Sequence, residues 1–437
     1  MIDRRTLLAA GAAGALAAAA PAFAQGRRQS FPQGFLWGAA TAGHQVEGNN
    51  VAADLWLLEN MQPTIFAEPS GDAVNHFGLW AQDLDMVKAM GLNTYRFSLE
   101  WARIEPEPGL FSTAMLDHYK AVIDGCRDRG LNPVVTFQHF TAPRWFSAQG
   151  GWTNREAPAL FARYCSRAAE HLGENISHAL TMNEPQILRL LRALEVMPEG
   201  ALMGQRAMLE AAAKRMGTDK FVTANVANFD DLDTMQALMI EGHGAAKAAI
   251  KAVRGDLPVG VSLALIDNQA RGPNSVAGEK AEDMAGAWLR TARGDDFLGV
   301  QNYERIVWDA KGKVAPPADA VRNWGGSEVH APSLAGAVRQ AHAMAGVPIL
   351  VSEHGVGTDD DAIRARFIPE ALAGLSGAMA DGIPVLGYIH WSLMDNFEWI
   401  FGYKPRFGLV SVDRTTFART PKPSAEVLGR IARANSL

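Results

Sequence analysis

Apolar residues along this chain gather into eight short runs, and longer amphipathic stretches separate them. The runs are FLWGAAT (35–41), TYRFSLEW (94–101), NPVVTFQH (132–139), HALTMNE (178–184), VGVSLALI (259–266), FLGVQNY (297–303), PILVSEH (348–354) and VLGYIHWSL (385–393). Each is almost continuously apolar, the pattern of a parallel strand covered on both faces. Stretches such as LWAQDLDMVKAMGLN between them carry apolar residues at helical spacing, and Gly91 supplies a C-terminal stop. Strands alternating with helices predict parallel pairing through crossover connections. Eight such units predict an α/β fold, a closed (β/α)8 TIM barrel in one domain with loop insertions. The polar, Gly- and Pro-rich stretch 308–332 reads as a long βα loop rather than a domain boundary.

The first residues follow another pattern. MIDRRTLLAAGAAGALAAAAPAFAQG has a charged start, an apolar stretch from Leu7 to Ala20 and a small-x-small site at Ala22–Phe23–Ala24. This is the layout of a cleavable export signal over residues 1–24. Arg4 and Arg5 followed by Thr6, Leu7 and Leu8 resemble a twin-arginine signal. The apolar stretch is short for a membrane span. The expectation is a periplasmic or secreted protein with 25–437 as the catalytic domain and no stable membrane association after cleavage.

Composition narrows the picture. The chain has 437 residues, 48% hydrophobic and 20% charged, with a net charge of -6. An acidic balance argues against nucleic acid as a partner, because a nucleic-acid surface is normally basic. Cys126 and Cys165 both fall in helical patterns, without metal-type spacing, and read as buried thiols. No phosphate-cradling glycine loop is present, so no cofactor is expected. His44, His139, His354 and His390 lie at different strand ends without zinc-type spacing, so no metal is expected either.

The strand ends carry the chemistry. Most runs finish on polar or aromatic residues, among them Glu100–Trp101, His139, Asn183–Glu184, Asn302–Tyr303, Glu353–His354 and Trp391. In a TIM barrel the C-terminal ends of the strands form the active-site face. Glu184 and Glu353 end the fourth and seventh runs. Two carboxyls facing one cavity cannot both ionise cheaply, so one stays protonated near neutral pH. An acid beside a carboxylate is what cleavage of a glycosidic bond needs.

The segments TMNEP and LVSEHG resemble the acid/base and nucleophile segments of glycoside hydrolase family 1, the β-glucosidase family. The likeness runs from Phe35 to Pro423 and includes FLWGAATAGHQVEG, YRFSLEWARIEP, DFLGVQNY, GYIHWSLMDNFEW and GYKPRFGLVSVD. It implies a retaining β-glycosidase that hydrolyses small β-glycosides by double displacement. Glu184 would be the acid/base and Glu353 the nucleophile. Arg96 and Tyr303 would support the nucleophile, and Asn183 would donate to the sugar 2-hydroxyl. Gln45, His139, Glu398 and Trp399 would bind the other hydroxyls, with Trp391 as the apolar platform. Chemistry asks for the same residue types: polar groups around the hydroxyls and an indole under the C–H face.

The chain also departs from that pattern. His354 stands where the family has an amide beside the nucleophile, and Phe140 stands where it has a tryptophan. A neutral His354 would act as a polar neighbour of Glu353, whereas a protonated one would depress the Glu353 pKa. The loops around 267–295 and 304–332 are short or atypical. A transglycosidase using the same intermediate, a 6-phospho-β-glycosidase and a non-catalytic sugar binder are the alternatives. Glu398 argues against the phosphorylated sugar, and the presence of both glutamates argues against the binder.

Overall fold

A computed structural model describes residues 30–226 and 228–437. The expected signal over residues 1–24 lies outside them. All eight apolar runs form strands: β1 Leu36–Ala40, β2 Thr94–Ser98, β3 Asn132–Gln138, β4 His178–Asn183, β5 Val259–Ala264, β6 Phe297–Asn302, β7 Ile349–His354 and β8 Val385–Trp391. Every neighbouring pair is parallel, and β8 pairs with β1 to close the barrel. The TIM barrel read from the pattern is the fold observed.

Helices cover the outside. The stretch ending at Gly91 forms a helix over His76–Ala89, and Gly91 itself takes a left-handed φ of 84°. The helix Thr113–Asp128 starts at Ser112, whose hydroxyl accepts from the Met115 N–H at 3.3 Å, a side-chain N-cap. Inside the barrel, Leu36, Val134, Leu180, Phe297, Leu350 and Ile389 pack into a solid plug. That plug fills the lower barrel and leaves the C-terminal end for polar side chains. Cys126 and Cys165 are both buried and unbridged. Among the described residues no helix is long and apolar enough to cross a membrane.

Two strands depart from simple alternation. The pairing of β7 with β6 shifts between Val351 and Glu353, and the pairing of β4 with β5 shifts between Leu180 and Asn183. An extra residue in one strand re-aims the side chains that follow it. Ser352 bonds the inward-facing Ser262, and the next residue, Glu353, also reaches the interior, where it meets Arg96. On β4, Thr181 faces outward to His243, whereas Asn183 faces inward to Arg96.

The fifth run ends early, and a separate strand follows it. β5 ends at Ala264, and Asp267–Ala270 pairs with Arg305–Asp309 in a separate three-stranded sheet completed by Gly312–Lys313. Asp267 accepts from Gln269 and Asn268 accepts from the Trp308 indole. Their hydrogen bonds thus serve this outer sheet. The long connection expected over 308–332 begins inside the hairpin of Arg305–Asp309 with Gly312–Lys313 and then runs as a loop to the helix Ser333–Ala345.

Candidate active site

Arg96, on β2, is 1% exposed and organises the floor of the pocket. Its guanidinium donates to Glu353 Oε1 at 2.5 Å, Ser352 O at 3.1 Å, Asn183 Oδ1 at 2.6 Å and Thr136 Oγ1 at 3.2 Å. The Tyr303 hydroxyl donates to the other Glu353 oxygen at 2.5 Å. Glu353 is therefore gripped at both oxygens by charge-assisted bonds.

Asn183 links this floor to the sugar-binding candidates. Its Oδ1 accepts from Arg96 and from Gln301 Nε2 at 2.6 Å, so its amide nitrogen faces His139 Nε2 at 3.1 Å. An amide N–H only donates, so His139 Nε2 accepts and its proton sits on Nδ1. Burial and the Arg96 charge hold the His139 pKa well below the ordinary range, as a neutral ring requires. Its buried Nδ1 has no protein partner. The second Asn183 N–H is also free of any assigned bond. The His139 ring lies between Trp391 (centroids 5.7 Å, 22°) and Trp399 (6.0 Å, 20°).

Gln45 and Glu398 form a second contact group, beside Trp399. Gln45 Nε2 donates to Phe397 O at 2.6 Å and contacts Glu398 Oε2 at 3.3 Å, while its buried Oε1 is unpaired. Burial and the charge of Glu353 push the Glu398 pKa up to about 8. Near neutral pH this carboxyl can donate as well as accept. Charge repulsion then argues less against a sugar phosphate than the bare sequence suggests.

The two key carboxyls differ in their surroundings. Burial raises both pKa values. At Glu353 the Arg96 charge and the Tyr303 hydrogen bond pull back toward the ionised form. Glu184 also feels the charge of Glu353, has only the Coulomb attraction of Arg96 to oppose it, and lies well above the ordinary range. The shared proton belongs on Glu184. Glu184 is half-buried. Its backbone has a left-handed φ of 44°, as have Phe140 (67°) and Trp399 (50°). Non-glycine residues in this region carry strain, and such residues cluster at functional sites.

All ten candidates thus meet at one end of the barrel, linked by these bonds, ring contacts and charge interactions. His354 does not join them. Its side chain points outward, stacks on Phe367 at 4.7 Å and contacts the Tyr388 hydroxyl at 3.0 Å through Nδ1. Burial pushes its pKa down to about 3, so it is neutral. The expected role as a polar neighbour of the nucleophile is corrected: the bulge turns Glu353 inward and leaves His354 behind the wall. Phe140 packs edge-on against Trp399 at 5.2 Å.

Gln301 was missed by sequence reasoning, which picked its neighbour Asn302. Gln301 faces inward and orients Asn183, while Asn302 faces outward to Ser333. Two-residue alternation from Phe297 and Gly299 is the signal that separates them. Among the described residues no group of three or more His, Cys, Asp or Glu side chains is arranged to hold a metal ion.

A separate cleft of about 530 Å³ lies away from these residues, lined by Leu202, Arg206, Leu209, Lys220 and Phe221 among others. The carboxyl pair, not cleft volume, marks the chemical site.

Comparison with known proteins adds an independent observation. The chain matches the pattern of glycosyl hydrolase family 1 over residues 27–228 and 332–437. It is 31% identical to a β-glucosidase of Agrobacterium sp., over 92% of this chain and 95% of that protein. It is 26% identical to β-glucosidase A of Thermotoga maritima, over 94% and 99%. A solved β-glycosidase, BGL167, superposes with a TM-score of 0.88 at 46% identity, covering 93% of this chain and 98% of that one. A β-glucosidase solved without ligand gives 0.87 at 41% identity, covering 92% and 98%. The unmatched stretch, 229–331, contains β5, β6 and both loops that read as atypical.

Proposed function

Because this chain belongs to glycosyl hydrolase family 1, we infer that it hydrolyses β-glycosides with retention of configuration. The observation that carries the reading is the pair of carboxyls in one pocket, with Glu353 bonded at both oxygens by Arg96 and Tyr303 and Glu184 without such partners and pushed further toward its protonated form. Glu353 attacks the anomeric carbon while Glu184 gives its proton to the departing oxygen. The glycosidic C–O bond breaks and a sugar ester forms on Glu353. The charge of Glu353 is then gone, and with it one cause of the raised Glu184 pKa. Glu184 becomes a competent base and takes a proton from water, whose oxygen attacks the anomeric carbon as its bond to the Glu353 oxygen breaks, freeing the Glu353 carboxylate. Arg96 and Tyr303, bound to both Glu353 oxygens, favour the return of the carboxylate charge in this second step. The free N–H of Asn183, the Nδ1–H of His139, Gln45 Oε1 and Glu398 are the groups available to sugar hydroxyls. Trp391 offers the apolar face.

Export is the companion proposal, supported by the composition of residues 1–24. N-terminal sequencing of the protein from a periplasmic fraction should find Gln25 first; retention of Met1 in the cytoplasm would overturn it. The catalytic reading is tested by hydrolysing a panel of aryl β-glycosides and following the released sugar by proton NMR. The β anomer should appear first, and initial release of the α anomer would refute retention.

A further inference from the structure

His44, Glu59 and Glu100 are buried titratable groups that the chemistry above does not use. His44 precedes Gln45 on the short helix Gly43–Val46 that follows β1. Its backbone N–H donates to Glu100 Oε1 at 2.8 Å, its Nε2 bonds Glu59 Oε1 at 2.6 Å, and its Nδ1 lies 3.3 Å from the Asn50 amide nitrogen. The side chains of His44 and Glu59 are fully closed to solvent. The imidazole lies parallel to the Trp399 indole, with centroids 6.0 Å apart at 5°.

A buried carboxyl facing an imidazole is a weak source of stability, because both groups give up water. What the pair provides is direction. With both ring nitrogens engaged, the imidazole cannot turn. Glu59 also holds the far side of the same segment: its Oε2 accepts from the Ser70 N–H at 2.8 Å and the Ser70 hydroxyl at 2.7 Å, and Ser70 O accepts from the Tyr403 hydroxyl. Tyr403 follows the turn Trp399–Phe401. Phe397, two residues before Trp399, meets the His44 ring edge-on at 6.2 Å and 64°. Glu59 thus reaches the Trp399 segment twice, through His44 and through Ser70. Trp399 has need of such support. It sits on a turn of three residues with a left-handed φ of 50°, and it is half-buried. Its indole N–H makes no hydrogen bond to the described residues, so it is open to a ligand.

We propose that His44 is a positioning residue: clamped by Glu59, its ring fixes the plane of the Trp399 indole and aims the indole N–H at one hydroxyl of the sugar being cleaved. The proposal rests on the glycosidase reading above. The His44 side chain is closed to solvent, so it acts through Trp399 and does not touch the sugar. A hydrogen bond weakens steeply as its angle departs from linear, so an indole free to tilt loses most of its bond to the hydroxyl. An indole already held in the bound geometry also spares the substrate the cost of ordering it. The effect is confined to the hydroxyl that faces Trp399.

The test measures kcat/KM for a nitrophenyl β-glycoside of the sugar cleaved fastest and for each of its monodeoxy analogues. Trp399→Phe removes the indole N–H and marks its hydroxyl as the one whose deletion then costs less than in wild type. His44→Gln keeps a donor for Glu59 and removes the ring. It should shrink the penalty for deleting that same hydroxyl about fivefold, the size of one neutral hydrogen bond, through KM more than kcat. The penalties at the other hydroxyls should stay as they are. Adding His44→Gln to Trp399→Phe should change nothing further at the marked hydroxyl. Glu59→Gln mispairs a bond to His44 or Ser70 and should give a smaller loss at the same place, which tests the clamp should the first variant not fold. Penalties that stay at wild-type values in either folded variant, or that shrink equally at every hydroxyl, overturn the proposal. Trp399→Phe that marks no hydroxyl overturns it too, as does loss of the fold in both variants, which would assign the pair to stability alone. Wild-type enzyme that cleaves no member of an aryl β-glycoside panel refutes the glycosidase reading instead.

Discussion

At the floor of the pocket, Arg96 directs its donors to Thr136, Ser352, Glu353 and Asn183, and Gln301 and His139 also bond Asn183, leaving one of its N–H groups free. At the rim, Trp324 is tied down by a backbone bond to Gly357 and touches Phe401, which stands half in solvent. The floor is a buried network in which each side chain is held by others, so removing one member strands a buried polar group. The rim is ring surface on loops, where exchange of one side chain alters fit and leaves the fold intact. Chemistry is held by the first; the second lies outside its hydrogen-bonded network. The family match does not follow this division, since the unmatched 229–331 holds Gln301 and Tyr303 of the floor as well as Trp324, whereas Phe401 lies in the matched part.

The sharpest way to break this contrast is at the floor. Glu353→Ala should lower kcat by on the order of 10⁴-fold or more. Azide should restore part of the rate and yield the glycosyl azide of inverted configuration; no rescue would remove Glu353 as nucleophile. Glu184→Ala should cost about 10²–10⁴-fold on glycosides with poor leaving groups and much less on activated aryl glycosides. Its rate profile should also lose the alkaline limb, because the step needs Glu184 protonated and fails as pH rises through its raised pKa. Equal losses on both substrate types would sink the acid assignment.

Arg96→Met removes the cation that opposes burial at Glu353. The Glu353 pKa should rise, and the acid limb of kcat/KM should move up by about 1 pH unit or more. Unfolding in urea should show a loss of ~3 kcal/mol from the broken buried pair. An unmoved acid limb would mean that Arg96 does not set the charge of Glu353.

Glu398→Gln tests the group beside Trp399. The folded pKa of Glu398 is about 8, raised by burial and the charge of Glu353 from the ordinary carboxyl value of 4.5. Its neutral form is the one the fold favours, so its contribution is complete below about pH 4.5 and is lost as pH rises through about 8. Glutamine cannot ionise, so the melting temperature of the variant should fall less steeply than wild type between pH 5 and 8. Parallel curves would contradict the raised pKa.

His354→Asn lies behind the wall and should do least to catalysis. The acid limb should stay in place, with a loss of ~1–2 kcal/mol in stability from the missing Phe367 stack and Tyr388 bond. A moved acid limb would show that His354 does reach the charge of Glu353.

Reading the chain alone succeeded where the signal is local and repeated. Eight apolar runs of strand length, alternating with helical stretches, leave few arrangements besides a closed parallel barrel. Polar residues at the ends of so many runs must then converge on one rim, and the two glutamates among them define the chemistry. Which side chain enters the pocket was not legible in the same way. Strict alternation from Leu350 sends Ser352 and His354 inward and Glu353 out, and alternation from Leu180 sends Asn183 out. The shifts between Val351 and Glu353 and between Leu180 and Asn183 reverse this. Those shifts depend on neighbouring strands that are distant in sequence, so no local pattern announces them. The sequence by itself determined the barrel, the acidic pair and the aromatic segment beside Glu398. Only the tertiary structure decided that Glu353 and Asn183 turn inward, that His354 does not, that Gln301 orients Asn183, and that Trp324 meets Phe401. Each of these is a contact between loops or strands far apart along the chain, and such contacts exist only once the barrel has closed.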